Sequence, residues 1–412
     1  MNLRSDSDRI IRAALAAALP DTAVRKALDG ADFGTGRLVL VAVGKAAWQM
    51  AHAAVEQLGS RISSGVVITK YGHSQGDLPG LKIFEAGHPV PDDNSFAATD
   101  EAIRAVSGLT ADDTVLFLIS GGGSALFEKP LISRDSLDAL TKQLLACGAD
   151  IVEMNTVRKR LSAVKGGRFA RLCEPAHVMS IVLSDIIGDP LDMIASGPAY
   201  PDSSTCEQAR AIIAKYGITV DAETAKLLDQ ETPKQLDNVT TFVTGSVRQL
   251  CRAAAGQARA LGYEPVVLTA SLSCEAREAG TFFANIAQFH AGDGKDLAFI
   301  AGGETVVHLT GTGKGGRNQE LALSAAAGID GMENACVFSV GSDGTDGPTD
   351  AAGGWTDGTT AAKLRAQGVQ IFDVLKNNDA YHALKAVDGL IITGPTGTNV
   401  NDVSVLLIRG KK

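Results

Sequence analysis

The sequence is poor in aromatic residues and cysteine, and it carries no excess of positive charge. Phe, Trp and Tyr make up 5% of the 412 residues, and the formal net charge is −9. Because nucleic acids are bound by basic surfaces, this charge argues against a nucleic-acid partner. The six cysteines are far apart and form no CxxC pair. This spacing argues against a zinc site or a disulfide framework and indicates reduced thiols.

Long apolar runs and a secretion signal are also missing. No apolar run approaches the ~18 residues that a membrane-spanning helix needs. Asp6 and Asp8 interrupt any basic n-region, and Ile10–Leu19 is too short and alanine-rich for a secretory core. We therefore expect a cytoplasmic protein with no membrane partner.

Two common catalytic signatures are absent as well. The histidines form no HExxH pair, and no G-x-S-x-G elbow occurs, which argues against a zinc protease and an esterase. Gly44-Lys45 is not a Walker A motif, because the glycine required five residues before that pair is missing.

Glycine, in contrast, is abundant, with 45 residues among Ala-, Val- and Leu-rich runs. From about residue 37 onward, apolar runs without alternation are separated by helical patterns. This favours a parallel sheet flanked by helices. The polar stretch 229–235 resembles a linker. We predict two α/β domains, residues 1–235 and 236–412, of which the first has a Rossmann-like, mainly parallel sheet.

Polar residues follow several of the predicted strands directly. Lys45, the glycine loop Ser120–Ser124 and Asp185 each come at a strand end. Because ligands of parallel sheets bind outside the carboxyl ends of the strands, we expect these residues on one rim.

The loop Ser120-Gly121-Gly122-Gly123-Ser124 combines close backbone approach with N–H donors and two hydroxyls. These features predict phosphate or carboxylate binding, and a tight turn without a ligand is the alternative. Lys45 stands where a buried strand meets a helix start. A lysine there can stabilise charge on a transferring phosphoryl group, and a surface lysine is the alternative.

A cluster of cations occurs in residues 155–168 of this acidic chain. Arg158, Lys165 and Arg168 recur at helical spacing. This segment predicts recognition of a substrate carboxylate, and a solvated helix face is the alternative.

Two acidic loops follow predicted strands. Asp185 and Asp189 follow one strand, and the acidic loop containing Asp343 follows another. Such carboxylates can bind Mg²⁺ or accept a hydroxyl proton. Turn and capping aspartates are the alternative.

The segment Ala301–Glu320 supports two chemistries. Its Gly302-Gly-Glu304 predicts a hairpin, and a glycine loop carrying Lys314 and Arg317 then opens a helix. Free N–H groups at a helix N-terminus can bind an anion. The same loop contains Gly311-x-Gly313-x-x-Gly316, which matches the dinucleotide fingerprint of hydride-transfer enzymes.

Taken together, these motifs resemble the class II glycerate kinases, the glycerate 2-kinase family. They cover most of the chain in family order: Val43–Ala47, Glu85–Pro89, Ile119–Leu126, Met154–Lys159, Lys165–Gly167, Leu183–Asp185, Gly188–Pro190, Gly302–Thr305, Gly315–Glu320 and Gly341–Pro348.

The resemblance implies ATP-dependent phosphorylation of D-glycerate at its 2-hydroxyl, with Mg²⁺, in a cleft between two α/β domains. It implies catalytic roles for Lys45, Arg317 and Asp185, and metal binding by Asp189, Glu304 and Asp343. The residues implied to bind substrate or phosphate are Ser120, Gly121, Gly122, Gly123, Ser124, Arg158, Lys165 and Asn318.

Members of this family are also labelled hydroxypyruvate reductases of tartrate degradation, so an NAD(P)H-dependent reductase is the alternative function. Such an enzyme usually needs an acidic residue ~20 positions after the fingerprint to bind ribose. That window contains only Glu333, before the next strand rather than at its end. The oligomeric state stays open, with a homodimer as the assembly considered.

Overall fold

The computed structural model describes residues 2–410 of the chain. They form two compact α/β units, each with a six-stranded sheet. The first unit comprises Ala23–Ser184 and Asp189–Thr244, and the second comprises the described residues 2–22, 185–188 and 245–410. None of the helices between residues 2 and 410 has the length and apolar character that crossing a bilayer requires.

The sheet of the first unit has the strand order β3-β2-β1-β4-β5-β6. Its strands are β1 (Leu38–Val43), β2 (Ile62–Lys70), β3 (Leu81–Ala86), β4 (Thr114–Ile119), β5 (His177–Leu183) and β6 (Val239–Gly245). Strands β1 to β5 pair in parallel, and β1 and β4 are buried along their whole length. This order is that of the Rossmann fold, which confirms the predicted parallel sheet.

The sheet of the second unit is mixed, with the order β11-β10-β9-β12-β8-β7. Its strands are β7 (Glu264–Leu272), β8 (Leu297–Gly303), β9 (Ala335–Gly341), β10 (Gly353–Asp357), β11 (Leu390–Ile391) and β12 (Asp402–Ile408). Only β7 and β8 pair in parallel, and β12 lies antiparallel between β8 and β9.

The predicted hairpin around Gly302-Gly-Glu304 is wrong. Strand β8 is already paired with β7 on one side and β12 on the other, so the segment after Gly303 cannot fold back beside it. That segment leaves the sheet, and Val306 forms only an isolated parallel bridge with Glu275.

The helices pack against the sheets and against one another. In chain order they are α1 (Leu3–Ala18), α2 (Pro20–Leu28), α3 (Ala47–Leu58), α4 (Asp93–Ala105), α5 (Gly123–Leu126), α6 (Arg134–Ala146), α7 (Ile151–Arg158), α8 (Arg168–Cys173), α9 (Cys206–Lys215), α10 (Ala222–Leu228), α11 (Val247–Ala260), α12 (Ala276–His290), α13 (Arg317–Gly328), α14 (Thr360–Ala366), α15 (Ile371–Lys376) and α16 (Ala380–Lys385). Asp92, Asp150 and Thr205 begin α4, α7 and α9 with reciprocal side-chain caps.

Helix α1 belongs to the second unit although it comes first in the chain. Its Asp6 accepts hydrogen bonds from the Tyr263 hydroxyl at 2.9 Å and from Arg409 at 2.8 Å, and Ile10 is fully buried. The first unit also continues past residue 235, because β6 completes its sheet. The units therefore differ from a single division of the chain at residue 235.

Three phenylalanines form the aromatic centre of the first unit. The rings of Phe117, Phe127 and Phe169 are all fully buried, with centroids 4.8 to 5.9 Å apart. A sequence with few aromatic residues thus concentrates three of them in one core.

We expect Phe117→Ala to destabilise the first unit by about 3–5 kcal/mol, because it removes a buried ring and leaves a cavity. Phe289→Ala is the control, since Phe289 is 81% exposed, and it should change stability by less than ~0.5 kcal/mol. Urea unfolding followed by circular dichroism measures both. Equal effects of the two substitutions would contradict the described core.

Candidate active site

Two loops meet at the carboxyl ends of β1 and β4, where the order of the first sheet reverses. The Lys45 N–H donates to the Gly121 carbonyl at 2.8 Å, and the Ala46 N–H donates to Ser120 Oγ at 3.1 Å. Open α/β sheets bind their ligands at this switch point. The structure thus brings together Lys45 and the glycine loop, as predicted for one rim.

The glycine loop has unused hydrogen-bond donors. Within residues 2–410, the N–H groups of Gly121 and Gly122 have no acceptor, and Gly122 has φ 85°. The side chain of Lys45 is exposed beside them. Free backbone donors and an ammonium group form a site that suits an anion.

The far side of the loop is held by strained backbone. Ala195, Ser196 and Gly197 all have positive φ, and a Cβ on Gly123 would lie 2.7 Å from that of Ala195. The Ser124 and Ser196 hydroxyls are 2.7 Å apart, and Ser196 donates to Asn155 Oδ1 at 3.2 Å. Strain of this kind concentrates at functional sites.

Lys165 holds the same loop from inside the protein. Its fully buried ammonium lies 2.7 Å from Glu128 and donates to the carbonyls of Ser124 at 2.8 Å and Phe127 at 3.1 Å. Burial lowers the pKa of Lys165 to about 8, although Glu128 opposes this shift. Arg158 lies 3.6 Å from the same carboxylate. The roles of Arg158 and Lys165 as substrate ligands stay predictions.

The cation-rich segment is not a solvated helix face. Lys159, Arg160 and Lys165 are buried, and the Lys159 ammonium lies 2.9 Å from the buried carboxylate of Asp202. Arg168 donates to the carbonyl of Arg160 at 2.9 Å. These charges therefore belong to the interior of the first unit.

Asp185 and Asp189 follow β5. Both are half-buried, and Asp189 has φ 54°. One carboxylate oxygen of Asp189 is buried without a hydrogen-bond partner. A buried oxygen without a partner is costly, so it is suited to receive a ligand.

In the second unit, Arg317 connects two acidic side chains. Its guanidinium donates to Asp402 at 2.6 and 3.1 Å and to Glu304 at 2.8 Å, and Asn401 donates to Glu304 at 3.2 Å. Burial raises the pKa of Asp402 to about 6, against the opposing effect of Arg317. Burial lowers the pKa of Arg317, but Asp402 and Glu304 outweigh it and raise that pKa overall.

Two of the N–H groups at the N-terminus of α13 are not free, contrary to the expectation from the sequence. The N–H groups of Asn318 and Gln319 donate to the buried carboxylate of Asp346 at 3.2 and 2.9 Å. The side-chain amide of Asn318 also donates to Asp346, at 3.3 Å. The chain thus supplies its own anion here, because the acidic loop after β9 folds onto this helix end.

The fingerprint Gly311-x-Gly313-x-x-Gly316 does not form a dinucleotide loop. In that motif a tight turn joins the strand directly to the helix, whereas residues 304–316 separate β8 from α13. A Cβ on Gly311 or Gly313 would lie 2.4 to 2.5 Å from backbone or side-chain atoms of Asn377 and Asp379. These glycines are needed for packing within the protein.

Residues 2–410 contain no group of three or more His, Cys, Asp or Glu side chains arranged to hold a metal ion. Asp343 is half-buried and accepts a hydrogen bond from the Thr345 N–H at 3.0 Å. Mg²⁺ in kinases is held largely by substrate phosphates and by one or two carboxylates. Metal binding by Asp189, Glu304 and Asp343 therefore stays a prediction.

Sequence reasoning missed three partners of the predicted residues. Glu128, Asp346 and Asp402 hold Lys165, α13 and Arg317, respectively. Asp346 lies within the predicted acidic loop, and Asp402 is the first residue of the mostly apolar strand β12, so both had a local signal. Glu128 had none, because its role depends on a lysine far along the chain.

The fold is that of an α/β protein whose first sheet has the Rossmann strand order, and the free donors at its switch point suit a small anion. Residues 6–229 match the family model described as "Domain of unknown function (DUF4147)", and residues 297–402 match the MOFRL family.

The chain is 52% identical to the D-glycerate 2-kinase of Thermotoga maritima over 99% of both chains. It is 40% identical to the glycerate 2-kinase of Pyrococcus horikoshii, over 100% of this chain and 99% of that protein. A protein of Agrobacterium vitis named as a hydroxypyruvate reductase is 42% identical over 90% of this chain and 100% of its own. A crystal structure of the Thermotoga glycerate kinase has a TM-score of 0.94, covering 98% of this chain and 99% of its own. The chain belongs to the glycerate 2-kinase family.

We expect Glu128→Ala to destabilise the first unit by about 3–5 kcal/mol, because it leaves the buried Lys165 ammonium without its partner. Lys129→Ala is the matched control, since it breaks the partly exposed pair with Asp100, at a cost of ~0–1 kcal/mol. A Trp355→Phe background leaves Trp48 as the fluorescent reporter of the first unit during urea unfolding. Similar losses in both variants would contradict the buried pair.

Proposed function

We propose that this protein is an ATP-dependent kinase that phosphorylates D-glycerate at the 2-hydroxyl, giving 2-phosphoglycerate and ADP. The observation that carries the proposal is 52% identity to a D-glycerate 2-kinase over nearly the whole of both chains. The switch-point site agrees with this function, because it offers the positioned cation and N–H donors that phosphoryl transfer requires.

In the first unit, Lys45 and the glycine loop would act on the transferred group. The N–H groups of Gly121 and Gly122 would orient anionic oxygens of the substrates. The Lys45 ammonium would stabilise the charge that develops on the phosphoryl group. Because Lys45 N–H is fixed to the Gly121 carbonyl, the cation and the loop are held together by backbone.

In the second unit, Arg317 would contact a phosphate of ATP. Asp402 fixes its guanidinium through two hydrogen bonds, and Glu304 through one. These three bonds leave other N–H groups of the guanidinium free for a ligand. We propose that Asn318, which follows Arg317 in the chain, binds substrate or phosphate as the family resemblance implies.

Mg²⁺ would neutralise charge on the phosphates of ATP when it is bound. Asp189 offers a buried oxygen without a partner, and Asp343 and Glu304 are at least partly accessible carboxylates. These hard oxygen donors fit the ion. Asp185, at the end of β5, is proposed as a catalytic carboxylate.

The reductase alternative is favoured by the name that two Agrobacterium vitis relatives carry. Against it, the fingerprint glycines pack on protein and do not follow a strand directly. We therefore favour the kinase.

We further propose that the partners of this protein are small molecules and that it is cytoplasmic. We place it in glycerate metabolism, such as tartrate degradation, as a monomer or a homodimer.

Incubation of the protein with ATP, Mg²⁺ and D-glycerate should form ADP, and phosphorus NMR should show the 2-phosphate ester. NADH oxidation with hydroxypyruvate in the absence of ADP formation would overturn the kinase.

Lys45→Ala should lower kcat by ~10²–10³, because a stabilising cation is lost. Lys82→Ala, on an exposed lysine, should keep full turnover.

We expect Arg317→Lys to lower kcat by ~10²-fold or more, since a lysine keeps the charge but cannot bridge Asp402 and Glu304 as a fork. Arg365→Lys, at the exposed pair with Asp330, is the matched control. Circular dichroism checks the fold of both variants. Wild-type turnover in Arg317→Lys would show that the fork geometry is not needed.

A further inference from the structure

His88 faces the glycine loop and Lys45. It follows β3, whose carboxyl end lies on the same edge of the first sheet as those of β1 and β4. A Cβ placed on Gly122 would lie 3.0 Å from His88 Cδ2, 3.1 Å from Nε2 and 3.2 Å from Lys45 Cγ. The Nε2 edge of the imidazole, the free donors of the loop and the lysine side chain therefore converge on one place.

The His88 ring is not used to hold the fold. Within residues 2–410 neither of its nitrogens has a hydrogen-bond partner, and the residue is half-buried. The other histidine of this rim differs, because His73 Nδ1 lies 3.0 Å from the Lys45 carbonyl and its side chain is exposed. A half-buried imidazole without a partner, beside a candidate phosphate site, has a nitrogen available to a substrate.

The surroundings of His88 keep its imidazole neutral. Burial lowers the pKa of His88, and Lys45, Lys70 and His73 lower it further. The nearest acid of its own loop, Asp92, accepts hydrogen bonds from the Tyr71 hydroxyl and the Ser95 N–H and caps α4. At neutral pH His88 is therefore in the form that can accept a proton.

We propose that His88 is the general base of the reaction. Its Nε2 accepts the proton of the glycerate 2-hydroxyl while that oxygen bonds to the γ-phosphorus of ATP. The bond from the γ-phosphorus to the β–γ bridging oxygen breaks, and ADP leaves with that electron pair. The imidazolium then returns the proton to water. The inference rests on the proposed function and assigns the proton to His88 instead of Asp185.

The test compares His88→Gln with His73→Gln, a second histidine of the same rim. Wild type and His73→Gln should show a kcat that falls in acid, where His88 becomes protonated, and the fall should begin below the ordinary pKa range of histidine because the pKa of His88 is lowered. His88→Gln should lose ~10²–10⁴-fold in kcat, lose that acid limb, and keep a KM for D-glycerate within about threefold of wild type. Trp48 fluorescence confirms that the first unit is folded.

A second variant separates catalysis from structure. In His88→Ala, added imidazole should restore part of the turnover, because a free base can enter the space of the lost ring. Turnover near wild type in His88→Gln, or an inactive His88→Ala that imidazole does not restore, would overturn the role of His88. A wild-type protein that forms no ADP from ATP and D-glycerate would instead overturn the proposed function itself.

Discussion

The close approach of Gly44 to Ser120 determines the geometry of the switch-point site. Gly44 has φ 120°, and a Cβ there would lie 2.2 Å from Ser120 Oγ. Only glycine allows the loops after β1 and β4 to touch in this way. The contact then places the Lys45 N–H on the Gly121 carbonyl. The backbone hydrogen bond thus fixes the distance from the Lys45 backbone to the free N–H donors of the loop. Only the rotamer of the Lys45 side chain can still adjust.

In the second unit, buried carboxylates hold Arg317 and the N-terminus of α13 in place. Asp346 occupies the N-terminus of α13, and Asp402 holds Arg317. Burial raises the pKa of Asp402, and the hydrogen bonds and positive charge of Arg317 act against that rise. Burial of these carboxylates is costly by itself, and the hydrogen bonds from α13 and Arg317 offset that cost. The arrangement holds the guanidinium in place before any ligand arrives, which is the condition for efficient stabilisation of a charged transition state.

The features that were predicted correctly from the sequence are those that depend on short, continuous segments of the chain. Strands β1 and β4 are buried along their whole length, so their unbroken apolar runs identified them, and Lys45 and the loop at Gly122 directly follow these runs. The hairpin near Glu304 was wrong because the partner of β8 is β12, at the far end of the chain. Pairing between distant segments leaves no local pattern, and for the same reason the Glu128–Lys165 pair was not found.

A glycine motif in the sequence is not enough to identify an anion site. In the fingerprint region the space beside Gly311 and Gly313 is filled by the chain at Asn377, so these glycines allow protein to pack on protein. At Gly121 and Gly122 the N–H groups have no acceptor within residues 2–410. A glycine serves a ligand only where its backbone donors remain unused, and that depends on residues distant in sequence. By this criterion Gly121 and Gly122 suit an anion, whereas the N–H groups of Gly311 and Gly313 already donate to Asn378 and Asn377.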